Sequence, residues 1–311
     1  MEVLIVEREK HFRADDLRPQ LPGIKVHDFK TAEDALAAAP ACDVLVALAH
    51  NVTDELVGAM PNLGYIVSLS AGVDHLWSLK NLQPQVRITN GRGIHGPQMA
   101  EMAFLYMIGL SRNYRQMEAN QRSHVWDRWA QPVLVDKTVV IIGIGAISEA
   151  IATRCKAFGM TVVGVSNARG ETQGFDRVVP RAQLREAASE ADFLIVLVPL
   201  DERTRHLVNG EIFSAMKPSA FVINLARGDV IDEPAMVKAL QDRTIAGAGL
   251  DVFSIEPLPK DHPLWDMPNV MMSPRIGGMS DIYDRQVLPL VAHNLNAWRE
   301  GRQQDLRNVV R

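Results

Sequence analysis

One stretch near the middle of the chain, DKTVVIIGIGAISEAIATRCKAFGM, limits the possible folds more than any other. Val139–Ile142 is an entirely apolar run of strand length, and the glycine-rich turn Gly143-Ile144-Gly145 follows it directly. Apolar residues then recur at helical spacing, at Ile147, Ile151, Cys155 and Phe158. A strand, a glycine turn and a helix in this order predict one unit of a parallel sheet that is covered by helices.

The same alternation of short apolar runs and helical patterns extends along the whole chain. It predicts an α/β protein with two doubly wound, Rossmann-like parallel-sheet domains and a cleft between them. We expect residues 1–95 with 285–311 to form one domain and residues 96–284 to form the other. The runs predicted to be strands are Val3–Val6, Val44–Leu48, Tyr65–Leu69, Val86–Thr89, Val139–Ile142, Thr161–Val165, Phe193–Val198, Phe221–Leu225, Ala246–Leu250 and Val270–Met272.

Composition excludes several other classes of protein. The 311 residues carry 33 Lys and Arg against 37 Asp and Glu, which argues against a nucleic-acid-binding surface. Cys42 and Cys155 are too few for a disulfide framework and argue against a cysteine-based metal site. The first residues lack a signal-peptide pattern, and no apolar run is long enough to span a membrane. We therefore expect a cytoplasmic enzyme without a nucleic-acid, membrane or metal partner.

The glycine turn is typical of a dinucleotide-binding loop. Gly143 permits a tight turn, and Gly145 allows the backbone to approach a pyrophosphate at the start of the helix, where Ala146 and Ile147 lie. Ser148 takes the place of the third glycine of the usual fingerprint and is small enough to pack there. The alternative is a plain turn between a strand and a helix.

The end of the next strand predicts which dinucleotide is preferred. An acidic residue there selects NAD, whereas this chain has Ser166-Asn167-Ala168-Arg169. Hydroxyl, amide and guanidinium donors suit a 2′-phosphate, so NADPH is favoured and NAD stays possible. The alternative for Arg169 is a solvated cation in a loop.

The stretch HGPQMAEMAFLYMIGLSRNYRQ predicts one long helix that is apolar on more than one face. Such a helix must be buried on several sides, either by its own domain or by a partner subunit. We expect a homodimer through the cofactor domain, with burial inside one chain as the alternative.

Five further motifs occur in an order typical of one family: SLSAGVDHL, NGRGIHGPQMAEMAF, VPLDERTRHLVNGEIFSAMK, INLARGDVIDEPAMVKAL and GLDVFSIEPLPKDHPLW. With them the chain resembles the D-isomer-specific 2-hydroxyacid dehydrogenases over nearly its whole length. The pair Gln98-Met99 and the non-acidic Ser166-Asn167 are most similar to the NADPH-dependent glyoxylate and hydroxypyruvate reductases of that family. The resemblance implies a flavodoxin-like substrate domain and a dinucleotide-binding domain.

The resemblance also implies an activity and site residues. A small 2-keto acid would be reduced to the D-2-hydroxy acid by hydride transfer, with the backbone amides of Ala71 and Gly72 holding its carboxylate. Arg227 would be the substrate-binding arginine, because a planar guanidinium bridges carboxylate and carbonyl oxygens. Glu256 would belong to the catalytic pair. The further cofactor contacts that the resemblance implies are Pro199, Thr204, Ala226, Asp251 and Gly277.

The sequence departs from the family at the residue that matters most for proton transfer. In MMSPRIGGMS the resemblance implies a catalytic histidine where Arg275 stands. An arginine scarcely releases its proton, so Glu256 would pair with a fixed cation instead of tuning an acid. Losing a positioned general acid typically costs about 10² to 10⁴ in rate.

Three interpretations of Arg275 stay open. In the favoured one the protein is a reductase in which Arg275 stabilises the alkoxide and water or another side chain gives the proton. In the second it is a weakly active or inactive dinucleotide-binding sensor or interaction protein. In the third it oxidises a substrate that needs no proton relay, as the related formate dehydrogenases do.

Other proton donors are conceivable, although a structural role explains each one more simply. The candidates are His50, His75, His95 and Tyr283. His206 and His262 read as structural residues. Trp126 and Trp129 have the reach to enter a partner's cleft, but packing in the core is the preferred interpretation for both.

Overall fold

The structure, a computed structural model, describes residues 1–7 and 14–311. It divides into two compact units, the first formed by Met1–Ile94 with Ser280–Arg311 and the second by His95–Met279. Among the helices of the described residues, none has the length and apolar character that crossing a bilayer requires.

The first unit contains a five-stranded parallel sheet in the order β2-β1-β3-β4-β5. Its strands are β1 (Glu2–Val6), β2 (Lys25–Phe29), β3 (Val44–Ala47), β4 (Tyr65–Ser68) and β5 (Arg87–Thr89). Its α-helices are α1 (Ala14–Leu17), α2 (Ala32–Ala35), α3 (Asp54–Gly58) and, near the end of the chain, α10 (Tyr283–Arg299). Its 3-10 helices are Arg18–Gln20, Ala39–Ala41, Ala49–Asn51, Asp74–Ser78 and Gln303–Asp305.

Both faces of this sheet are buried, as its nearly continuous apolar strands require. Val3 and Ile5 of β1 pack on one side with Val287 and Leu295 of α10, which lie on one face of that helix. The intervening Leu4 and its neighbours pack on the opposite side. Helix α10 therefore covers one face of the sheet.

The second unit contains a seven-stranded parallel sheet in the order β12-β11-β10-β9-β6-β7-β8. Its strands are β6 (Thr138–Ile142), β7 (Thr161–Val165), β8 (Arg177–Val179), β9 (Phe193–Val196), β10 (Phe221–Asn224), β11 (Gly247–Leu250) and β12 (Val270–Met272). Its α-helices are α4 (Gly96–Ser111), α5 (Tyr114–Arg122), α6 (Ala146–Ala157), α7 (Leu184–Glu190), α8 (Gly210–Ala215) and α9 (Glu233–Gln241). Its 3-10 helices are Arg181–Gln183, Gly228–Val230 and Pro263–Trp265.

Two core clusters cover the two faces of this second sheet. One contains Val140 and Ile142 of β6, and the other contains Val139 and Ile141 of the same strand together with residues of α4 and α6. The order of strands reverses direction at β6, so the loops after β6 and β9 lie where such sheets bind ligands. The predicted pair of doubly wound parallel-sheet units is confirmed.

The structure corrects the sequence prediction in two places. The edge strands β2 and β8 were not predicted, because edge strands carry polar residues such as those of Lys25-Val26-His27-Asp28-Phe29. The single long helix predicted after His95 is wrong, since it is broken between α4 and α5. Asn113 adopts a left-handed backbone there, with φ of 52°, which asparagine tolerates better than most residues.

Candidate active site

The loop that follows β12 carries Arg275, and the structure brings it to Glu256. Arg275 Nη1 lies 2.5 Å from Glu256 Oε2, and the other carboxylate oxygen accepts the Phe253 N–H at 3.1 Å. The Arg275 side chain is 51% exposed and that of Glu256 is 29% exposed. The sequence expectation that these two residues form an ion pair agrees with this geometry, and their catalytic role stays a prediction.

The side chain of Asp251 holds the same loop in place through hydrogen bonds. Its Oδ1 accepts the Ser273 hydroxyl at 2.5 Å and the Ile276 N–H at 2.9 Å, and its Oδ2 accepts the Gly277 N–H at 3.0 Å. Burial raises the pKa of the Asp251 carboxyl group, although these hydrogen bonds and the positive charge of Arg275 oppose the shift. The Asp251 carboxylate thus holds the Ser273 side chain before Arg275 and the backbone N–H groups of Ile276 and Gly277 after it.

Gly277 is required by this arrangement. A Cβ atom at this position would come within 2.7 Å of Asp251 Oδ2, so any side chain would push the loop away from the carboxylate. Arg275 itself has a φ of 56°, a left-handed backbone that is uncommon for arginine. The loop geometry therefore depends on Asp251 and Gly277 and keeps Arg275 in an unusual conformation.

Arg227 lies in the loop after β10, in extended backbone with φ of −142°. Asn224 positions this loop, because its side chain accepts the Ala226 N–H at 3.1 Å and donates to the Arg227 carbonyl at 3.0 Å. A Cβ atom on Gly228 would overlap the backbone of Phe253, so the two segments pass each other without room for a side chain. The loop of Arg227 and the segment that ends in Glu256 are thus in direct contact.

The glycine turn after β6 has the form that the sequence predicts. Gly143 has a φ of 99°, and a Cβ atom there would approach Val198 Cγ1 to 2.8 Å. A Cβ atom on Gly145 would meet nothing within 4 Å, so the space above it is open. Ser148 is more than a tolerated glycine substitute, because its hydroxyl accepts the Gly145 N–H at 2.7 Å and donates to the Gly145 carbonyl at 2.8 Å.

The residues after β7 form a hydrogen-bonded turn. Ser166 Oγ accepts the N–H groups of Ala168 and Arg169, each at 3.1 Å, and Asn167 Oδ1 accepts the Arg181 N–H at 2.8 Å. Arg169 Nη2 lies 2.7 Å from Glu149 Oε1 on α6, with side chains 52% and 40% exposed. Sequence reasoning missed Glu149, whose helical position beside the turn was its only signal.

Thr204 and Ala226 are largely enclosed by their own loops. Thr204 is 1% exposed, and its hydroxyl donates to the Pro199 carbonyl at 2.7 Å and accepts the Asp201 N–H at 2.7 Å. The side chain of Thr204 therefore closes the loop after β9, and Ala226 is 7% exposed. Their contacts with a cofactor stay predictions.

In the first unit, Ala71 and Gly72 lie in the loop after β4, and both are partly exposed. Asn90 Nδ2 donates to the Ala71 carbonyl at 2.6 Å. Within the described part of the chain, the N–H groups of Ala71 and Gly72 have no hydrogen-bond acceptor. Asn90 thus holds the loop through the Ala71 carbonyl, and binding of a carboxylate by the two N–H groups stays a prediction.

The structure separates the candidate proton donors. Tyr283 is 6% exposed, and its hydroxyl donates to the Leu69 carbonyl at 2.5 Å, so it has a structural role in the first unit. His75 Nε2 lies 3.0 Å from the Val52 carbonyl oxygen. His95 lies at the start of α4, where a Cβ atom on Gly278 would be 3.4 Å from its ring. His95 is thus the candidate nearest to the loop of Arg275 within the second unit.

Three other histidines, of which only His50 is a candidate, lie elsewhere. His50 lies in the 3-10 helix after β3 in the first unit. His262 Nε2 lies 3.5 Å from Glu233 Oε1, and His262 precedes the 3-10 helix Pro263–Trp265. The backbone N–H of His206 donates to the Asp229 carbonyl at 2.8 Å. Both contacts agree with the structural roles expected for these two histidines.

The preferred interpretation of Trp126 as a core residue is wrong. Its side chain is 93% exposed, because it lies in an irregular surface segment after α5, whereas Trp129 is partly buried. Sequence reasoning also missed the structural roles of Ser273 and Tyr106. The Tyr106 hydroxyl lies 2.5 Å from Ser273 Oγ and 2.9 Å from the Leu250 carbonyl oxygen, and burial raises its pKa.

The second unit fits a dinucleotide on its own geometry. The open space above Gly145 leaves room for a pyrophosphate at the amino terminus of the twelve-residue helix α6, where N–H groups and the helix dipole favour an anion. The residues that would surround it are Gly143, Gly145, Ala146 and Ile147. In the described residues, the turn after β7 presents a serine and an asparagine where an NAD-selecting carboxylate would stand.

Comparisons with known proteins agree with this fold. Residues 104–277 match the sequence profile of the D-isomer specific 2-hydroxyacid dehydrogenase NAD-binding domain. A glyoxylate reductase from Korarchaeum cryptofilum (strain OPF8) is 31% identical over 300 residues, which are 94% of this chain and 88% of that protein.

Two solved structures are similar over the whole chain. A D-isomer specific 2-hydroxyacid dehydrogenase family protein from Aeromonas salmonicida subsp. salmonicida A449 has a TM-score of 0.91 at 29% identity, covering 100% of this chain and 98% of that one. An NADPH-dependent glyoxylate/hydroxypyruvate reductase from Sinorhizobium meliloti, in complex with NADP and sulfate, has a TM-score of 0.82 at 28% identity, covering 99% and 98%.

Proposed function

Because the chain belongs to the D-isomer specific 2-hydroxyacid dehydrogenase family, whose members are NAD(P)-dependent oxidoreductases, we propose that it reduces a small 2-keto acid such as glyoxylate or hydroxypyruvate. NADPH is the preferred reductant. The main support for this proposal is a series of contacts. The Arg227 loop packs against Phe253, the Phe253 N–H donates to Glu256, and Glu256 pairs with Arg275. Two guanidinium groups are thereby held by adjoining loops of one unit.

The two arginines have different tasks in this proposal. Arg227 binds the substrate, since paired N–H groups of a planar guanidinium match a carboxylate and its neighbouring carbonyl oxygen. Bound NADPH supplies the hydride. Arg275 stabilises the negative charge that develops on the carbonyl oxygen, and Glu256 fixes the guanidinium for that purpose. The proton that completes the hydroxyl group comes from water, because a guanidinium retains its own.

The cofactor preference rests on the turn after β7. Ser166 Oγ accepts two backbone N–H groups, and Asn167 Oδ1 accepts the Arg181 N–H. Among the described residues, neither the Ser166 hydroxyl hydrogen nor the Asn167 NH2 group has an acceptor, so both can donate to a ligand. Arg169 adds a cation, although Glu149 neutralises it at 2.7 Å. A 2′-phosphate therefore gains most when Arg169 turns away from Glu149.

We also propose a homodimer through the second unit. Leu105 and Ile108 of α4 are 55% and 39% exposed, although the helix is otherwise largely apolar and buried. Exposed apolar side chains on one helix are typical of a subunit interface. Sedimentation of wild type should give a dimer, and L105E with I108E should give a folded monomer. A monomeric wild type would overturn this part.

The activity is tested by following NADPH consumption with glyoxylate, hydroxypyruvate and pyruvate. Wild type should turn over at least one acid, and Arg227→Gln should lose a factor of about 10² or more in kcat/KM. Arg243→Gln is the matched control, because Arg243 is an exposed arginine outside these loops. No turnover of any acid together with tight NADPH binding would overturn the proposal and favour a dinucleotide-binding sensor.

A further inference from the structure

Three chemically different metal-binding side chains meet at one edge of the first unit. Glu2 begins β1, His27 lies in the neighbouring β2, and Cys42 lies two residues before β3 on the other side of β1. The parallel register pairs Glu2 with Lys25 and Leu4 with His27, so the side chains of Glu2 and His27 point to the same face of the sheet. Cys42 packs in the core cluster that covers this face.

We propose that Glu2, His27 and Cys42 form a binding site for a borderline divalent cation, with Zn²⁺ as the best match. One carboxylate oxygen, one imidazole nitrogen and one thiol sulfur lie within 4.8 Å of one another. Their mixture of oxygen, nitrogen and sulfur is typical of zinc ligands and unsuited to Mg²⁺ or Ca²⁺, which select oxygen atoms. The site is independent of the proposed reductase activity.

The spacing requires only a small movement of one side chain. Zinc–ligand bonds of about 2.0 to 2.3 Å at tetrahedral angles place ligand atoms about 3.3 to 3.6 Å apart. Glu2 Oε2 and His27 Nε2 are 3.0 Å apart and so are close to that spacing already. Cys42 Sγ would have to approach them by at most about 1.3 Å.

The contacts that these groups now make are weak competitors. Lys25 Nζ lies 3.1 Å from Glu2 Oε1, but the Lys25 side chain is 63% exposed and can rotate away from Glu2 towards the solvent. Cys42 Sγ donates to the Ala38 carbonyl at 3.4 Å, which is a weak bond. The side chains of His27 and Glu2 are 24% and 30% exposed, so water can reach the fourth coordination position.

Binding involves one proton and no redox step. Burial and the nearby negative charges of Glu2 and Asp43 raise the pKa of the Cys42 thiol to about 11, so the thiol is protonated at neutral pH. The cation forms a bond to sulfur, the S–H bond breaks, and the proton leaves to solvent. The bound cation would then join three neighbouring strands of the sheet.

The test uses full-length protein without an affinity tag, stripped by a chelator, with Co²⁺ as a spectroscopic probe and Zn²⁺ as its competitor. The expected result is one equivalent of Co²⁺ with thiolate charge-transfer absorption, displaced by one equivalent of Zn²⁺. Cys42→Ala should abolish that absorption, and His27→Gln should weaken the affinity at least about ten-fold. Cys155→Ala and His75→Gln are matched controls that should leave both unchanged.

Thermal unfolding supplies a second readout. Zn²⁺ should raise the Tm of wild type and of both controls by more than that of His27→Gln or Glu2→Gln, because stabilisation by a ligand falls as its affinity for the folded state falls. If Cys42→Ala does not fold, these two variants at partly exposed positions still decide the question. Absence of the thiolate absorption in wild type, or its persistence without Cys42, would overturn the proposal.

Discussion

Replacing Arg275 by glycine separates its effect on stability from its effect on catalysis. The substitution removes the guanidinium that lies 2.5 Å from Glu256, while glycine accepts the backbone φ of 56° without strain. The loop should keep its conformation, because Asp251 binds the backbone N–H groups of Ile276 and Gly277 and not the side chain of residue 275.

The change in the free energy of unfolding is small. The ion pair contributes about 0 to 1 kcal/mol, because the Arg275 side chain is 51% exposed. Removing the strain of the left-handed backbone raises the free energy of unfolding by about 1 kcal/mol. The greater freedom of glycine in the unfolded chain lowers it by about 0.5 to 1 kcal/mol. The sum lies within about 1 kcal/mol of zero.

The effect on the reaction should be much larger. Removing one preorganised group that stabilises developing negative charge typically lowers kcat by about 10² to 10³, or about 2.7 to 4 kcal/mol. Urea unfolding measures the stability, and NADPH consumption with the best of the three acids measures kcat/KM. Arg243→Gly is the matched control, because Arg243 is an exposed arginine that also has a positive φ, of 57°.

Two results would refute this reasoning. If Arg275→Gly keeps wild-type kcat/KM, the guanidinium takes no part in the reaction. If it loses activity and more than about 3 kcal/mol of stability together, Arg275 supports the fold and the loss of rate says nothing about charge stabilisation.

The remaining predictions concern the cofactor turn, the carboxylate under the loop and a buried thiol. Glu149→Gln should release Arg169 and tighten NADPH binding up to about five-fold relative to NADH, measured by fluorescence titration, whereas unchanged binding of both would show that Arg169 does not meet the 2′-phosphate. Asp251→Ala should lower the free energy of unfolding by about 2 to 5 kcal/mol, because two N–H groups lose their acceptor, and a loss below 1 kcal/mol in urea unfolding would contradict this. Burial raises the pKa of the Cys155 thiol from about 9 to about 12. The protonated thiol therefore contributes its full stability to the fold below pH 9, and this contribution is lost as the pH rises towards 12. Between about pH 9 and 11 wild type should lose about 1.4 kcal/mol per pH unit more than Cys155→Ala, and parallel pH profiles would exclude that assignment.

The sequence predicted the central strands and the glycine turn because these are determined locally. Val139–Ile142 is an apolar run of strand length that a glycine turn follows directly, and a Cβ atom at Gly143 would collide with Val198. The edge strand at Lys25–Phe29 could not be recognised from its own sequence. Its polar residues form a strand because they pair with β1, and that partner lies outside any short stretch of sequence around them. Asn113 interrupts an otherwise helical pattern through its own backbone conformation, which composition does not reveal.

The candidate site was predictable in its residues but not in its connections. Glu256 and Arg275 were paired by motif, and they do form an ion pair. The roles of Ser148, Ser273 and Glu149 depend on hydrogen bonds that link residues through the fold, such as Ser273 with Asp251. Small polar residues of this kind give no distinctive pattern in a single sequence.

If a fixed positive charge at Arg275 replaces a titrating acid, the pH dependence of kcat/KM for reduction should lack the titration of that acid. Wild type should therefore show no loss of rate near the ordinary histidine pKa of about 6.5. Arg275→His should show such a loss at a higher pH, because the Glu256 carboxylate favours the charged imidazole. A fall in the wild-type rate near neutral pH that Arg275→His leaves unchanged would exclude this role of Arg275 and point to a histidine, such as His95, as the acid.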